Sequence, residues 1–410
     1  MQERYDEVIE TDSPQQALYL MTKAFRIRNN YALNALTHFD QDMRHVVVFH
    51  TDEKNDRTNH FYHQLTQDLP EKLTQMTEHV DIKNTLDDIS DLIKDVDIVY
   101  TDKAYLKEDK HRFNQLKTMC EKHHTGLVTV ENNVFVPVVI ASDKEEYAAR
   151  TIRPKINQKL QDFKDTVLME YDGCLGEREA YEVLESFVRH KLDHYDQRND
   201  PAKEMTSGLS PYLKFGFISP VQIFHIINEQ SSPNKDAFLE ELIVRRELAY
   251  NFVYYNEGYD TFDQMTYGWA YQTMDNHILD KREHLYTIED YKTFNTHDKY
   301  FNTAMKEMIY FGEMHGYMRM YWAKKIIEWS KNYEYAFNTA LKLNNYYFYD
   351  GNTPNGYTGV AWCFGKHDRA WTERQIFGKL RYMNANGLKR KFDIDDYVDM
   401  INQRVEDMDE

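Results

Sequence analysis

Hydrophobic and polar positions follow two different patterns along this chain. Up to about residue 140, short β-branched runs bounded by polar residues predict strands: ALYLMTKAF (17–25), HVVVFH (45–50), VDIVYTD (96–102) and GLVTVEN (126–132). Longer segments of helical period, such as NHFYHQLTQDLPEKLTQM, lie between them. That alternation predicts a parallel sheet covered by helices, a Rossmann-like α/β domain over 1–140. SDKEEYAARTIRPKINQKLQDF is polar and helical at its start, and Pro154 is expected to interrupt it, so 141–174 reads as a connector. From 175 to 410 the text is almost entirely helix-like: EREAYEVLESFVRHKL, SPVQIFHIINEQ, DAFLEELIVRRELAYNFVYY, NTAMKEMIYF and GEMHGYMRMYWAKKIIEWS, with Gly and Pro mostly at the joints. An all-helical second domain is expected.

Composition narrows the class. No run approaches the ~18 apolar residues of a membrane span. The polar, acidic start MQERYDEVIETDSPQ is no secretory signal, and Cys120, Cys174 and Cys363 have no metal-ligand spacing. A cytoplasmic protein without a metal is expected. The formal charge of −18 argues against wholesale polyanion binding. Between Trp362 and Phe392, however, eight basic residues (Lys366, Arg369, Arg374, Lys379, Arg381, Lys389, Arg390, Lys391) face only Asp368 and Glu373. That segment is either a solvated surface or a local site for nucleic acid.

Several stretches could carry chemistry. TSGLSPYLKFGFISP (206–220) gathers hydroxyls and a Gly before a helix start, which suits a phosphate or an ordinary capped helix. Glu241 and Arg245 in EELIVRREL share a helix face. Apolar residues surround much of that helix, so a buried Glu there needs a partner or a task. Arg319, Trp322, Ala323, Ile326 and Trp329 form a stripe that normally packs a core. YDGNTPNGYTGVAW (349–362) reads as a Gly/Asn/Pro loop presenting Trp362 for a base to stack on. His315, His367 and Asp368 read first as structural hydrogen-bonding residues. No GxGxxG, GxxxxGK[ST], HExxH or CxxC signature occurs.

Taken together, VPVVIASDKEEYAARTIRPKI, RNDPAKEMTSGLSPYLKFGFIS, EELIVRRELAYNF, MHGYMRMYWAKKIIEW, DGNTPNGYTGVAW and HDRAWTERQIFGKLRYMNANGLKRKFD resemble class II cyclobutane pyrimidine dimer DNA photolyases. The likeness is dense from about 135 to 395 and thin before 130. It implies an α/β antenna domain and a helical domain holding FAD, whose reduced anionic form gives a light-excited electron to a dimer flipped out of double-stranded DNA. It implies that Thr206, Ser207, Leu209 and Ser210 hold the FAD phosphates and that Arg245 lies beside the cofactor. Arg319 and Asn344 match the pair near the flavin N5 edge. Glu241 matches the acid that hydrogen-bonds the dimer, expected here to stay protonated in a dry pocket. Met320 and Trp362 match lesion contacts, and Arg374, Lys379 and Arg390 are expected on the DNA face. A monomer is expected; no antenna chromophore is assigned.

The resemblance also makes Trp322 and Trp329 the inner and outer members of an electron-transfer chain whose middle tryptophan comes from a segment like THDPLWNAA. Here the segment is THDKYFNTA, with Phe301 in the middle position. Phenylalanine is much harder to oxidise, so photoreduction of oxidised FAD is expected to be slow, or rerouted through Tyr300, Tyr310 or Tyr321. The rival readings are a cryptochrome-like light-signalling flavoprotein without repair activity and a flavoprotein that binds DNA or RNA.

Overall fold

The β-branched runs of the first half build one six-stranded sheet in the computed structural model, which describes residues 2–165 and 173–409. Its strands are β1 (Tyr5–Ile9), β2 (Ala17–Met21), β3 (Arg44–Phe49), β4 (His79–Lys83), β5 (Ile98–Asp102) and β6 (Gly126–Val130), in the order β1-β6-β5-β2-β3-β4. Neighbours pair parallel except β1, which is antiparallel to β6. Every residue of β2 and β6 is buried, as in a parallel sheet covered on both faces. The four strands read from the sequence are β2, β3, β5 and β6. The other two, YDEVI and HVDIK, are polar edge strands, where charge blunts an exposed ladder and hides the strand signal.

The chain moves from β2 outward to β3 and β4, then returns to β5 beside β2, which creates a switch point at their C-terminal ends. The Asp102 carboxylate fills much of that crevice, accepting from Thr22 N at 2.9 Å, Lys23 N at 2.8 Å and Asn132 Nδ2 at 2.7 Å. The remaining space is about 20 Å³, the room of about one water.

The second half is helical, as its periodicity requires, and two expectations are corrected there. Pro154 does not interrupt its segment: Ala149–Phe163 is one helix running through it. The backbone bond that proline removes is offset by burial of Ile152 and Ile156 and by a two-pronged ion pair from Arg153 to Glu240, at 2.9 and 2.7 Å. The connector's residues 166–172 lie outside the described residues. Nor is 349–362 a long loop, because a helix spans Pro354–Cys363. Thr353 caps it by accepting from Gly356 N at 3.2 Å, and Pro354 sits at its first position. Gly356 is required there, since a Cβ would lie 2.9 Å from Asn344 Nδ2.

Buried charges weld the halves together. Arg4 donates to the carbonyls of Val134, Phe135 and Phe163, and Arg26 to those of Asn132 and Gly216. Glu177, 1% exposed, accepts from the backbone N–H groups of Ile27, Arg28 and Cys174. Glu247, 2% exposed, does the same for Phe135 and Val136; burial pushes its carboxyl up to about 7. Among the described residues no helix is long and apolar enough to cross a membrane.

Candidate functional site

The Gly316–Trp329 helix organises the site. His315 caps it: His315 Nδ1 accepts from Tyr317 N at 3.2 Å, and its Nε2 meets the Arg198 carbonyl at 2.9 Å. Burial holds this imidazole down at about 4, so it is neutral, and the two contacts fix the proton on Nε2. One turn on, Arg319 pairs with Asp350 at 3.0 Å, donates to the Met314 carbonyl at 3.0 Å and lies 3.9 Å over the Phe348 ring. Asn344 is buried beneath this segment; its Nδ2 donates to Asn345 Oδ1 at 2.9 Å.

Glu241 and Arg245 do not behave as their spacing suggests. Glu240–Arg245 is a π-helical turn, and both side chains point outward. Arg245 pairs with Glu240 at 3.3 Å, not with Glu241. The Glu241 side chain is 44% exposed and meets Arg198 at 3.5 Å. The dry pocket expected around Glu241 is not where this side chain lies: it is part-exposed with Arg198 facing it, and the buried acid of the helix is Glu247. Arg198 went unnoticed in the sequence; its setting in RNDP carries no chemical signal of its own.

In the hydroxyl loop, Thr206 and Ser210 are exposed, Ser207 is half-buried and Leu209 is buried. Gly208 takes a left-handed φ of 72°, turning the chain into the short Ser210–Lys214 helix. Tyr212 of that helix packs edge-on to Phe61 at 5.6 Å, and Phe61 meets Tyr349 at 5.1 Å. Through Phe61 the helix after the loop is thereby linked to Tyr349, the residue before Asp350.

Trp362 sits half-buried at the end of the Pro354–Cys363 helix, and half-buried Met320 follows Arg319 on its own helix. Arg381 is stacked between two indoles, 5.0 Å from Trp362 and 4.1 Å from Trp371. Asp368 fixes that guanidinium through bonds of 3.0 and 3.1 Å and accepts from Trp371 Nε1. Arg381 belongs to the basic segment read from the sequence, whereas Trp371 carries no separate signal there beyond its place in that segment. Beside them lies a cleft of about 290 Å³ lined by Tyr317, Trp371, Arg374, Tyr382 and Arg390. Arg374, Lys379 and Arg390 are exposed. Lys366 is not part of this face, being buried and paired with Glu145.

Trp322 and Trp329 are both core residues. Trp322 Nε1 lies 3.0 Å from Met305 Sδ. Phe301 packs edge-on to Trp329 at 5.1 Å. Of the tyrosines considered as detours, Tyr321 and Tyr300 are buried and donate to Asp298 and Asp395, whereas Tyr310 is exposed and stacks on Phe294.

The sequence pattern of DNA photolyases matches residues 17–173. The chain is 44% identical over 332 residues to a deoxyribodipyrimidine photo-lyase of Methanothermobacter thermautotrophicus, covering 73% of each chain. It is 40% identical over 317 residues to that of Oryza sativa subsp. japonica, covering 67% of this chain and 62% of the rice protein. Its fold matches an archaeal photolyase from Sulfolobus tokodaii, solved with two FAD molecules, at a TM-score of 0.70 and 15% identity, over 94% of this chain and 89% of that one. An α/β sheet domain, a helical domain and these identities over most of the chain lead to one conclusion: the chain belongs to the DNA photolyase family.

Proposed function

We propose that this protein is a deoxyribodipyrimidine photo-lyase of the class II kind, repairing cyclobutane pyrimidine dimers in double-stranded DNA with light. The observation that carries the reading is the Trp362–Arg381–Trp371 stack beside the Arg374–Arg390 cleft: flat aromatics for an extruded pyrimidine, next to cations for its phosphates. Support comes from the 44% identity to the archaeal photo-lyase. The class II assignment rests on the sequence blocks quoted above, and the choice of the cyclobutane dimer rests on that class.

The residues present fit FAD. Exposed hydroxyls of Thr206 and Ser210, with half-buried Ser207, offer donors for a diphosphate, and exposed Arg245 offers a cation. Arg319 and Asn344 would stand at the redox-active edge. When bound and reduced, FAD would supply an electron on light absorption.

The chain's own residues do the rest. Trp362 and Met320 would hold the flipped pyrimidines. Glu241, a carboxylate held by Arg198, would accept a pyrimidine imide N–H, and Arg198 would offset its charge as the dimer becomes anionic. Helix-borne groups need little reorganisation at the moment of transfer. The enzyme with reduced flavin, illuminated with dimer-containing DNA, should restore the pyrimidines in light and not in darkness. Light-independent behaviour, or repair confined to (6–4) photoproducts, would overturn the assignment. Flavin photochemistry without repair would leave the signalling reading in its place.

A further inference from the structure

We infer that Lys324 is a positioning residue of the Trp362 pocket: its buried ammonium ties the Pro354–Cys363 helix to the Gly316–Trp329 helix and lends positive charge to the Trp362 indole. The inference deepens the proposed function, resting on the reading of that pocket as the lesion pocket.

Lys324 is 0% exposed. A core position that needed only filling would be served by Leu or Met, because a buried charge is costly without an ionic partner. The ammonium here donates to a carbonyl, that of Cys363 at the end of the other helix. Helix-terminal carbonyls carry partial negative charge and lack intrahelical partners, so a lysine satisfies both needs. Asp368, which acts on Lys324 electrostatically, is already gripped by Arg381 through two bonds. The ammonium lies 5.8 Å from the Trp362 ring centroid, and Arg381 lies 5.0 Å from the same ring. Two cations thus draw on one indole.

The consequence is differential. An indole polarised by cations presents a less electron-rich face. That face favours a carbonyl-bearing pyrimidine modestly, and favours the same ring more once it carries an extra electron. The charge should therefore raise repair per absorbed photon more than affinity in the dark. Burial pulls the Lys324 ammonium down to about 8, with Arg381 adding to the fall and Cys363 and Asp368 opposing it. Of these, Asp368 and Arg381 are charged in that range, while burial pushes the Cys363 thiol up to about 11 and keeps it neutral; the effect fades as pH rises through about 8.

Two variants separate tie from charge. Lys324→Gln keeps an N–H donor for the Cys363 carbonyl and removes the charge; Lys324→Met removes both. The first readout needs neither DNA nor light-driven turnover. It is the pH titration of Trp362 fluorescence, taken as the difference between each chain and its Trp362→Phe counterpart. The wild type should show an inflection near pH 8, absent in both Lys324 variants. The second compares dark affinity for a dimer-containing oligonucleotide with repair per photon. At about pH 7, Lys324→Gln should lose about fivefold in repair and less than about twofold in affinity, and the wild type should approach it by about pH 9. A wild type without the inflection, or Lys324→Gln repairing like wild type, overturns the inference. Should the wild type show the inflection and repair nothing, the lesion reading falls and the Lys324–Trp362 coupling stands.

Discussion

Glu307 offers a test of how the site's supporting charges affect stability. It is 5% exposed, and burial pushes its carboxyl from an ordinary 4.5 up to about 7. The Tyr397 hydroxyl at 2.6 Å and the His315 N–H at 3.3 Å, both on Oε2, only partly counter that rise. An acid raised on folding holds its proton more tightly in the native state, so stability falls as pH climbs from about 4.5 to about 7. That rise from 4.5 to about 7 corresponds to a penalty of roughly 3 kcal/mol, fully developed above pH 7 and gone below pH 4.5. Glu307→Gln keeps one oxygen to accept from both donors and cannot ionise. The variant should match the wild type near pH 4.5 and exceed it by up to roughly 3 kcal/mol near pH 8. Urea denaturation in the dark at several pH values measures the difference. The raised carboxyl of Glu247 is common to both proteins and cancels. A difference that does not grow with pH, or a less stable variant near pH 8, would refute the reasoning.

Other expectations are equally direct. Phe301→Trp should speed blue-light bleaching of oxidised flavin; rapid, high-yield bleaching in the wild type, abolished by Trp329→Phe, would show that the phenylalanine does not interrupt the chain. Arg381→Ala removes the cation between Trp362 and Trp371 and leaves Asp368 unpaired, so affinity for dimer-containing DNA should fall about tenfold or more; equal affinity would remove Arg381 from the site. If Arg374, Lys379 and Arg390 each meet a phosphate, replacing all three should flatten the log–log dependence of affinity on salt by about 2.7. An unchanged slope would place the DNA elsewhere.

What the sequence revealed follows from where its signals are generated. Strands β2, β3, β5 and β6 stand out because largely buried parallel strands read as apolar runs; β1 and β4 carry charge because they lie at the edges. The Pro354–Cys363 helix hides behind a Gly/Asn/Pro composition that normally means loop, and only the Thr353–Pro354 start betrays it. The π-turn at Glu240–Arg245 defeats periodicity altogether. Its wider spacing turns Glu241 toward solvent and Arg198, and leaves Glu247 as the buried carboxylate. Partners distant in sequence, such as Arg198 with Glu241 or Arg381 with Trp362, leave no mark on spacing.

On the proposed reading, the Gly316–Trp329 helix carries an electron relay that Phe301 would interrupt without disturbing the fold. Gly316–Trp329 is fixed at its start by His315, held by Arg198 and Glu307, and at its end by Trp329, whose carbonyl accepts from Tyr286 N at 3.1 Å. Along it lie Arg319, Met320, Trp322, Lys324 and Trp329, so one rigid element would serve the proposed pocket, the buried cation and the proposed relay. Phe301 reaches this helix from outside and makes an edge-on contact with Trp329 that also meets the packing requirement. Phenylalanine fills that fully buried space, but only an indole would be readily oxidised there. Packing is therefore met by phenylalanine at 301, while the proposed repair by flavin that is already reduced would ask nothing of it. If Phe301 interrupts the relay, the cost falls on recovery from the oxidised state, and repair activity should depend on an external reductant far more than it does in the Phe301→Trp variant.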